Sequence, residues 1–374
     1  MTSRTETRGA ARVALVGTGG IAGICHLPAL RAERDRAELV AVMDVDTGRA
    51  KAFAAEHGVP AVHDDLGRML AESAPDLVHV CSPPGVHAEQ AAACLAAGAW
   101  VWCEKPPCRS LAEYDSITAA EGADGGPYAA FVFQHRFGSG AVRLRELIDA
   151  GELGRPLVAQ CVTAWYRDHE YFEVPWRGRW GSEGGGPTMG HGIHQMDLLV
   201  ATLGEWSEVR AMAGRLDRRV ETEDVSLAMV RFASGVMASV VNSVVSPREE
   251  SYLRFDFTDA SVELRHLYGY GDDDWTYTPA PHVGAERAGA WPVTGLETPS
   301  SHTAQLAALL DAYERGERPP TSGADGRRTL ELVAALYKSA FTGRPVARGE
   351  IGPGDPFYHR MHGDVPGWAP EGPR

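Results

Sequence analysis

Residues 12–22, "RVALVGTGGIA", join an apolar run to a glycine turn and then to an Ala-rich helical stretch. This junction constrains the fold more than any other feature of the chain. A strand, a turn of the form Gly17-x-Gly19-x-x-Ala22 and a helix start together make a dinucleotide-binding fingerprint. Gly17 permits the tight turn, and Gly19 lets a pyrophosphate approach the backbone. Gly20, Ile21 and Ala22 open the helix, whose N–H groups and dipole favour an anion. Asp44 ends the next apolar run, "ELVAVMD", 22 residues beyond Ala22. A carboxylate there accepts from a ribose 2′-hydroxyl and repels a 2′-phosphate, so NAD is expected rather than NADP. Arg49 is the nearest residue that could soften this preference.

The same rhythm continues to about residue 134. Apolar runs at 12–17, 38–44, 76–82, 99–105 and 128–134 alternate with helical stretches such as 47–57 and 86–97. Strands alternating with helices predict a parallel sheet covered on both faces. A helix is predicted over 138–150, an apolar strand over 157–164, and an aromatic loop, "AWYRDHEYFEVPWRGRW", after it. Between 208 and 265 strand-like runs follow one another without helices, which predicts an antiparallel sheet. Residues 269–300 read as a long loop, 302–315 and 324–341 as helices, and 343–374 as an irregular tail. The expected architecture is α/β. Residues 1–134 form an NAD(P)-binding Rossmann domain. Residues 135–374 are expected to form a second α/β domain with a mostly antiparallel open sheet.

Composition narrows the function. A net charge of −14 argues against nucleic acid and anionic membranes as partners. No run of about 18 apolar residues exists to span a membrane. The N-terminus "MTSRTETRGA" lacks the apolar core of a secretory signal. Six cysteines form no CxxC pair, and so reduced thiols in a cytoplasmic protein are expected.

Three places carry candidate chemistry. "CSPPGVHAEQ" follows a strand end, where Ser82, Pro83, Pro84 and His87 could line the nicotinamide end of a cofactor; a rigid turn starting a helix is the competing reading. "CEKPPC" puts Glu104 and Lys105, candidate cofactor contacts, at the end of the apolar run 99–105. The chain has three lysines against thirty-three arginines. A lysine here therefore invites attention, because an ammonium can exchange a proton and a guanidinium in practice cannot. A solvated loop pair is the alternative.

The third is "GGGPTMGHGIHQMD", residues 184–197. If 190–203 is one helix, Gly190, His191 and Asp197 each share a face with His194. His191 and Asp197 then point about 120° apart, so the three do not converge on a metal, and none is expected. A buried, hydrogen-bonded role and a catalytic base at His194 remain. The aromatic loop offers Tyr166, Arg167, His169, Tyr171, Trp176 and Arg177 as substrate contacts, or as a surface or oligomer contact. His135 and Arg136 follow the last Rossmann strand and could also reach substrate, as could His191 and Asp197.

The chain resembles the Gfo/Idh/MocA oxidoreductases. The resemblance rests on "GTGGIA", Asp44, "SPPGVHAE", "AGAWVWCEKP", "FQHRF", "GELGRP", "GGGPTMGHGIHQMDLL", "EDVSLAMVRFASG" and "SGADGRRTLELVAALYKSA". It implies a Rossmann domain, a second domain whose outer sheet face often makes dimers or tetramers, and an active site between the domains. It implies that Lys105 contacts the reacting oxygen, often with a cis peptide to Pro106, and that His194 is the catalytic histidine. The family's usual acid, four residues before that histidine, falls on Gly190. The expected function is NAD-dependent hydride transfer between nicotinamide and a secondary alcohol or ketone of a sugar, cyclitol or sugar derivative. A hydride-shuttling or eliminating enzyme with tightly held NAD(P), and a non-catalytic NAD-binding regulator, are the alternatives. A carbohydrate-like substrate and a homodimer or homotetramer are the expected partners.

Overall fold

The computed structural model describes residues 9–266, 268–293, 295 and 297–370. The first eight residues, which hold most of the segment expected not to be a secretory signal, lie outside the described residues.

Six strands, β1 (Ala11–Val16), β2 (Ala37–Met43), β3 (Ala61–His63), β4 (Leu77–Val80), β5 (Trp100–Cys103) and β6 (Ala129–Phe131), form the first sheet. Its order is β3-β2-β1-β4-β5-β6 and every pairing is parallel. This is the doubly wound order, with the reversal at β1/β4. β4 and β5 are buried along their whole length, as strands covered on both faces must be. The helices are α1 (Leu27–Ala32), α2 (Thr47–His57), α3 (Leu66–Ser73), α4 (His87–Ala96) and α5 (Leu111–Ala119). Asp46 caps α2 by accepting from the Arg49 N–H, and Gly58 ends it in the left-handed region.

The chain then forms α6 (Ser139–Asp149), β7 (Pro156–Tyr166), α7 (Trp180–Glu183), α8 (Pro187–Gly190), α9 (Ile193–Leu203), β8 (Trp206–Gly214), β9 (Val225–Phe232), β10 (Met237–Ser243), β11 (Val245–Phe257), β12 (Ala260–Leu264), β13 (Trp275–Pro279), α10 (Ala285–Gly289), α11 (His302–Arg315), α12 (Gly323–Thr342), β14 (Val346–Ala347) and α13 (Pro356–His359). The second sheet runs β13-β12-β11-β7-β10-β9-β8-β14. All its pairings are antiparallel except β7–β10, which is parallel. In β9, inner residues alternate strictly with exposed ones, so one face is core and the other is open.

Three expectations need correction. Residues 269–300 are not all loop, because "WTYTP" pairs with β12 as an edge strand and a short helix comes after it. Gly, Asp and Pro around those five residues hide the pattern. The tail contributes β14, which closes the sheet beside β8. The third concerns the domain division. By packing, the chain divides into two compact units, and the first comprises residues 1–108, 113–132 and 302–326. α11 and the residues after it, up to 326, therefore belong with the N-terminal sheet. The cause is the apolar stripe Leu306, Leu309, Leu310 and Tyr313, which joins the core of Leu27, Leu30 and Trp100.

Candidate active site

In the first unit, β1 delivers the chain into the glycine turn. Gly17 has φ +88°, and a Cβ there would lie 2.9 Å from the backbone of Cys81 and Ser82, so only glycine fits. A Cβ at Gly19 would meet nothing within 4 Å, which leaves the approach open for a pyrophosphate. Gly20 and Ile21 lead into a π-type turn over Ala22–His26, continuous with α1. Asp44 is buried at the end of β2. It accepts from the Thr18 N–H at 2.9 Å and from Arg49 Nε and Nη2 at 3.0 and 2.7 Å. Burial opposes its charge, but Arg49, Thr18 and Asp46 hold its pKa at about 2. Turn, open backbone and carboxylate fit an NAD molecule.

Beside β4, Ser82 bonds Gln90 at 2.6 Å, and Pro83 and Pro84 form the turn into α4. His87 is fully buried. Its Nδ1 lies 2.9 Å from the Pro106 carbonyl and its Nε2 2.7 Å from the Ser82 carbonyl. Burial pushes its pKa down, with both carbonyls opposing. His87 thus ties the turn after β4 to the turn after β5 and does not present its ring to a ligand. Glu104 is likewise turned inward. Its carboxylate meets His26, His302 and the Lys105 N–H. Lys105 is half-buried and its peptide to Pro106 is cis.

In the second unit, the stretch 184–197 is not one helix. α8 ends at Gly190 and α9 starts at Ile193, so Gly190 and His194 do not share a helix face. Two neighbours hold this stretch. The Glu223 carboxylate accepts from the N–H groups of Gly186 and Thr188 and anchors the start of α8. Gly192 lies against the Asn242 amide, where a Cβ would overlap it. Gly190 faces open space, with nothing within 4 Å of an added Cβ.

His194 is 1% exposed and packs edge-on to His135 and Tyr268 at ring separations of 5.1 and 5.2 Å. His135 bonds Ser300 Oγ at 2.7 Å. His191 stands against Trp165 at 5.1 Å and near Tyr171. Arg177 lies 3.6 Å over the Tyr171 ring and 5.2 Å from that of Trp176. Tyr166 is 44% exposed beneath Arg218. Arg136 and Asp197, expected as substrate contacts, grip each other in a buried two-pronged ion pair that Thr329 joins. The sequence did not point to Tyr268 as part of this cluster, and Trp165 lies in the aromatic loop with nothing to single it out there. Nor did the sequence point to His26, Glu104 and His302 as a cluster of possible metal ligands, whose donor atoms lie within 4.8 Å of one another.

Comparison with known proteins gives the family. Residues 11–129 match the oxidoreductase family with an NAD-binding Rossmann fold, and residues 141–282 match the GFO/IDH/MocA C-terminal domain. The chain belongs to the Gfo/Idh/MocA family and is an NAD-binding oxidoreductase. It is 28% identical over 364 residues to D-glucoside 3-dehydrogenase of Escherichia coli (strain K12), covering 90% of this chain and 97% of that one. It is 28% identical over 354 residues to inositol 2-dehydrogenase 1 of Saccharopolyspora erythraea, covering 90% and 95%. The WlbA dehydrogenase of Chromobacterium violaceum, solved with NADH and UDP-GlcNAcA, superimposes with a TM-score of 0.80 at 27% identity, covering 92% and 98%. Among the described residues, no helix is long and apolar enough to cross a membrane.

Proposed function

We propose that this chain oxidises a secondary alcohol of a sugar, cyclitol or sugar derivative, or reduces the corresponding ketone, with Lys105 and His194 as its catalytic residues. Bound NAD supplies the hydride acceptor, held by the Gly17–Ala22 turn and Asp44. Lys105 holds and polarises the substrate oxygen and stabilises developing alkoxide. His194 removes the hydroxyl proton; an imidazole ordinarily titrates near neutrality, and such a base contributes about 10²–10⁴ in rate. Trp165, Tyr171, Arg177, His191 and Tyr268 offer flat faces and donors of the kind a polyol ring uses. Gly190, without an acid, leaves space for a bulkier substrate.

The observation that carries the reading is the Lys105 turn at the C-terminal edge of a sheet bearing a complete dinucleotide fingerprint. Purified protein, NAD and a panel of polyols, followed by nicotinamide absorbance, tests it. Full kcat in Lys105→Ala or His194→Ala on a good substrate would refute the assigned roles. Val158, Met212, Leu227, Met229 and Met237 form an exposed apolar patch on the open sheet face, from 43% to 75% exposed. A patch of this kind supports a homodimer or homotetramer assembled through that face. Six free thiols fit a cytoplasmic location.

A further inference from the structure

Directly before Lys105 lies a charged group that the proposed chemistry does not use. Glu104 follows β5 and is 5% exposed. Its Oε1 accepts from His26 Nε2 at 3.0 Å and His302 Nε2 at 2.9 Å, and its Oε2 accepts the Lys105 backbone N–H at 3.1 Å. Both imidazoles are buried. His26 Nδ1 lies 3.2 Å from His79 Nδ1, so one of these nitrogens must carry the proton. With His26 donating to Glu104 through Nε2, His79 donates to His26. The carboxylate cannot turn without giving up one of these contacts.

Charge decides which imidazole is protonated. A carboxylate this deep needs a counter-charge, because an isolated buried ion is far more costly than a paired one. His302 supplies it. Burial opposes its charge, but bonds to Cys25 and Glu104 raise its pKa to about 9. Burial instead lowers His26, against its bond to Glu104, and leaves it a neutral donor. Burial pushes Glu104 up, yet the two histidines hold it well below the usual carboxylate range. Other titratable groups that interact with this pair are Cys25 from the first turn, His79 from β4, Cys81 after it, His87 from α4 and Cys103 from β5.

We infer that His302 is a positioning residue for Lys105. It neutralises and orients Glu104, whose second oxygen fixes the backbone that carries the ammonium. The inference rests on the proposed role of Lys105. Without His302 the buried carboxylate loses its counter-charge and one of the two donors to Oε1, which loosens the hold of Oε2 on the Lys105 N–H. Misplacing a catalytic group by about 1 Å costs about 10²-fold in rate. His26, Glu104 and His302 also make a donor set of the kind that holds zinc. The hydrogen-bonded arrangement is favoured because each N···O separation is a hydrogen-bond length and Oε2 is already engaged.

The test uses the NAD-loaded full chain and the variants His302→Gln and His302→Gln/Glu104→Gln. Two quantities are read: amide hydrogen exchange at Lys105, and kcat and KM on the polyol substrate. His302→Gln should speed exchange at Lys105 by about tenfold. It should lower kcat by about 10–100-fold with KM little changed. The double variant, which removes the stranded charge, should recover most of both. Unchanged exchange, an unchanged kcat, or no recovery in the double variant overturns the inference. So does a stoichiometric zinc ion in the wild type that is lost in His302→Gln. Should His302→Gln not fold, folding of the double variant supports the charge argument and its failure overturns it. A wild type that turns over no polyol defeats the dehydrogenase reading, and Lys105 exchange still decides the positioning.

Discussion

Arg136 and Asp197 form a two-pronged ion pair, with Nε donating to Oδ2 at 2.6 Å and Nη2 donating to Oδ1, and with both residues buried. Asp197 sits one turn along α9 from His194, so the pair ties the histidine's helix to the segment carrying His135. Removing one partner of such a pair strands the other charge, which costs about 3–5 kcal/mol. Arg136→Ala should therefore lower the unfolding free energy by that order, with a matching fall in the urea midpoint. Arg136→Lys should recover only part of it, because an ammonium cannot make both bonds in one plane. Equal midpoints for wild type and Arg136→Ala would show the pair to be dispensable.

The carboxylate of Asp44 should decide between cofactors. Its pKa of about 2 keeps it ionised across the usual assay range. Loss of a hydrogen bond to a charged group costs about 1.5–3 kcal/mol, so Asp44→Ser should reduce kcat/KM for NAD by about 10–100-fold. Arg49, released from Asp44, would then be available to a 2′-phosphate, and use of NADP should rise. Parallel kinetics with both cofactors check this. A variant with unchanged preference would remove Asp44 from the ribose site.

Gly190 and Gly192 stand two residues apart and should respond oppositely to substitution. A side chain at Gly190 enters open space, so Gly190→Asp should fold with a nearly unchanged melting temperature. It would put a carboxyl four residues before His194, and the expected readout is an altered ranking of substrates in the polyol panel. A Cβ at Gly192 overlaps the Asn242 amide. Gly192→Ala should lose about 1–3 kcal/mol in denaturant unfolding, the usual cost of overpacking. If Gly190→Asp were the less stable of the two, the local packing described for this bend would be wrong.

The dinucleotide half was legible because its signals are local. Gly17, Gly19 and Asp44 carry meaning from their places at strand ends, and the alternation of apolar runs predicts five of the six parallel strands; β3, three residues long and only partly buried, shows no such run. The hidden features depend on distant partners. The break between α8 and α9 falls where Gly192 meets Asn242 of β10, a distant partner, so helical periodicity alone runs straight through it. Tyr268 meets His194 from a Gly- and Asp-rich segment with no periodic pattern. His26, Glu104 and His302 are spread along the chain, and no spacing rule connects them. α11 has an unmistakable apolar stripe, yet nothing in the stripe names the core it fills.

The pair of Glu104 and His302 should also mark the dependence of stability on pH. His302 has a folded pKa raised from 6.5 to about 9. Its contribution is therefore fully present below the unfolded value and is lost as pH rises through the folded one. Glu104 is shifted the other way, so its contribution is present above its ordinary value of 4.5 and is lost as pH falls towards its depressed folded pKa. Wild-type stability should consequently decline between pH 6.5 and about 9, and His302→Gln should lack that part of the decline. Unfolding midpoints of the two proteins across this range give the difference directly and cancel groups titrating elsewhere. Parallel curves for wild type and variant would mean that His302 is neutral in the folded protein.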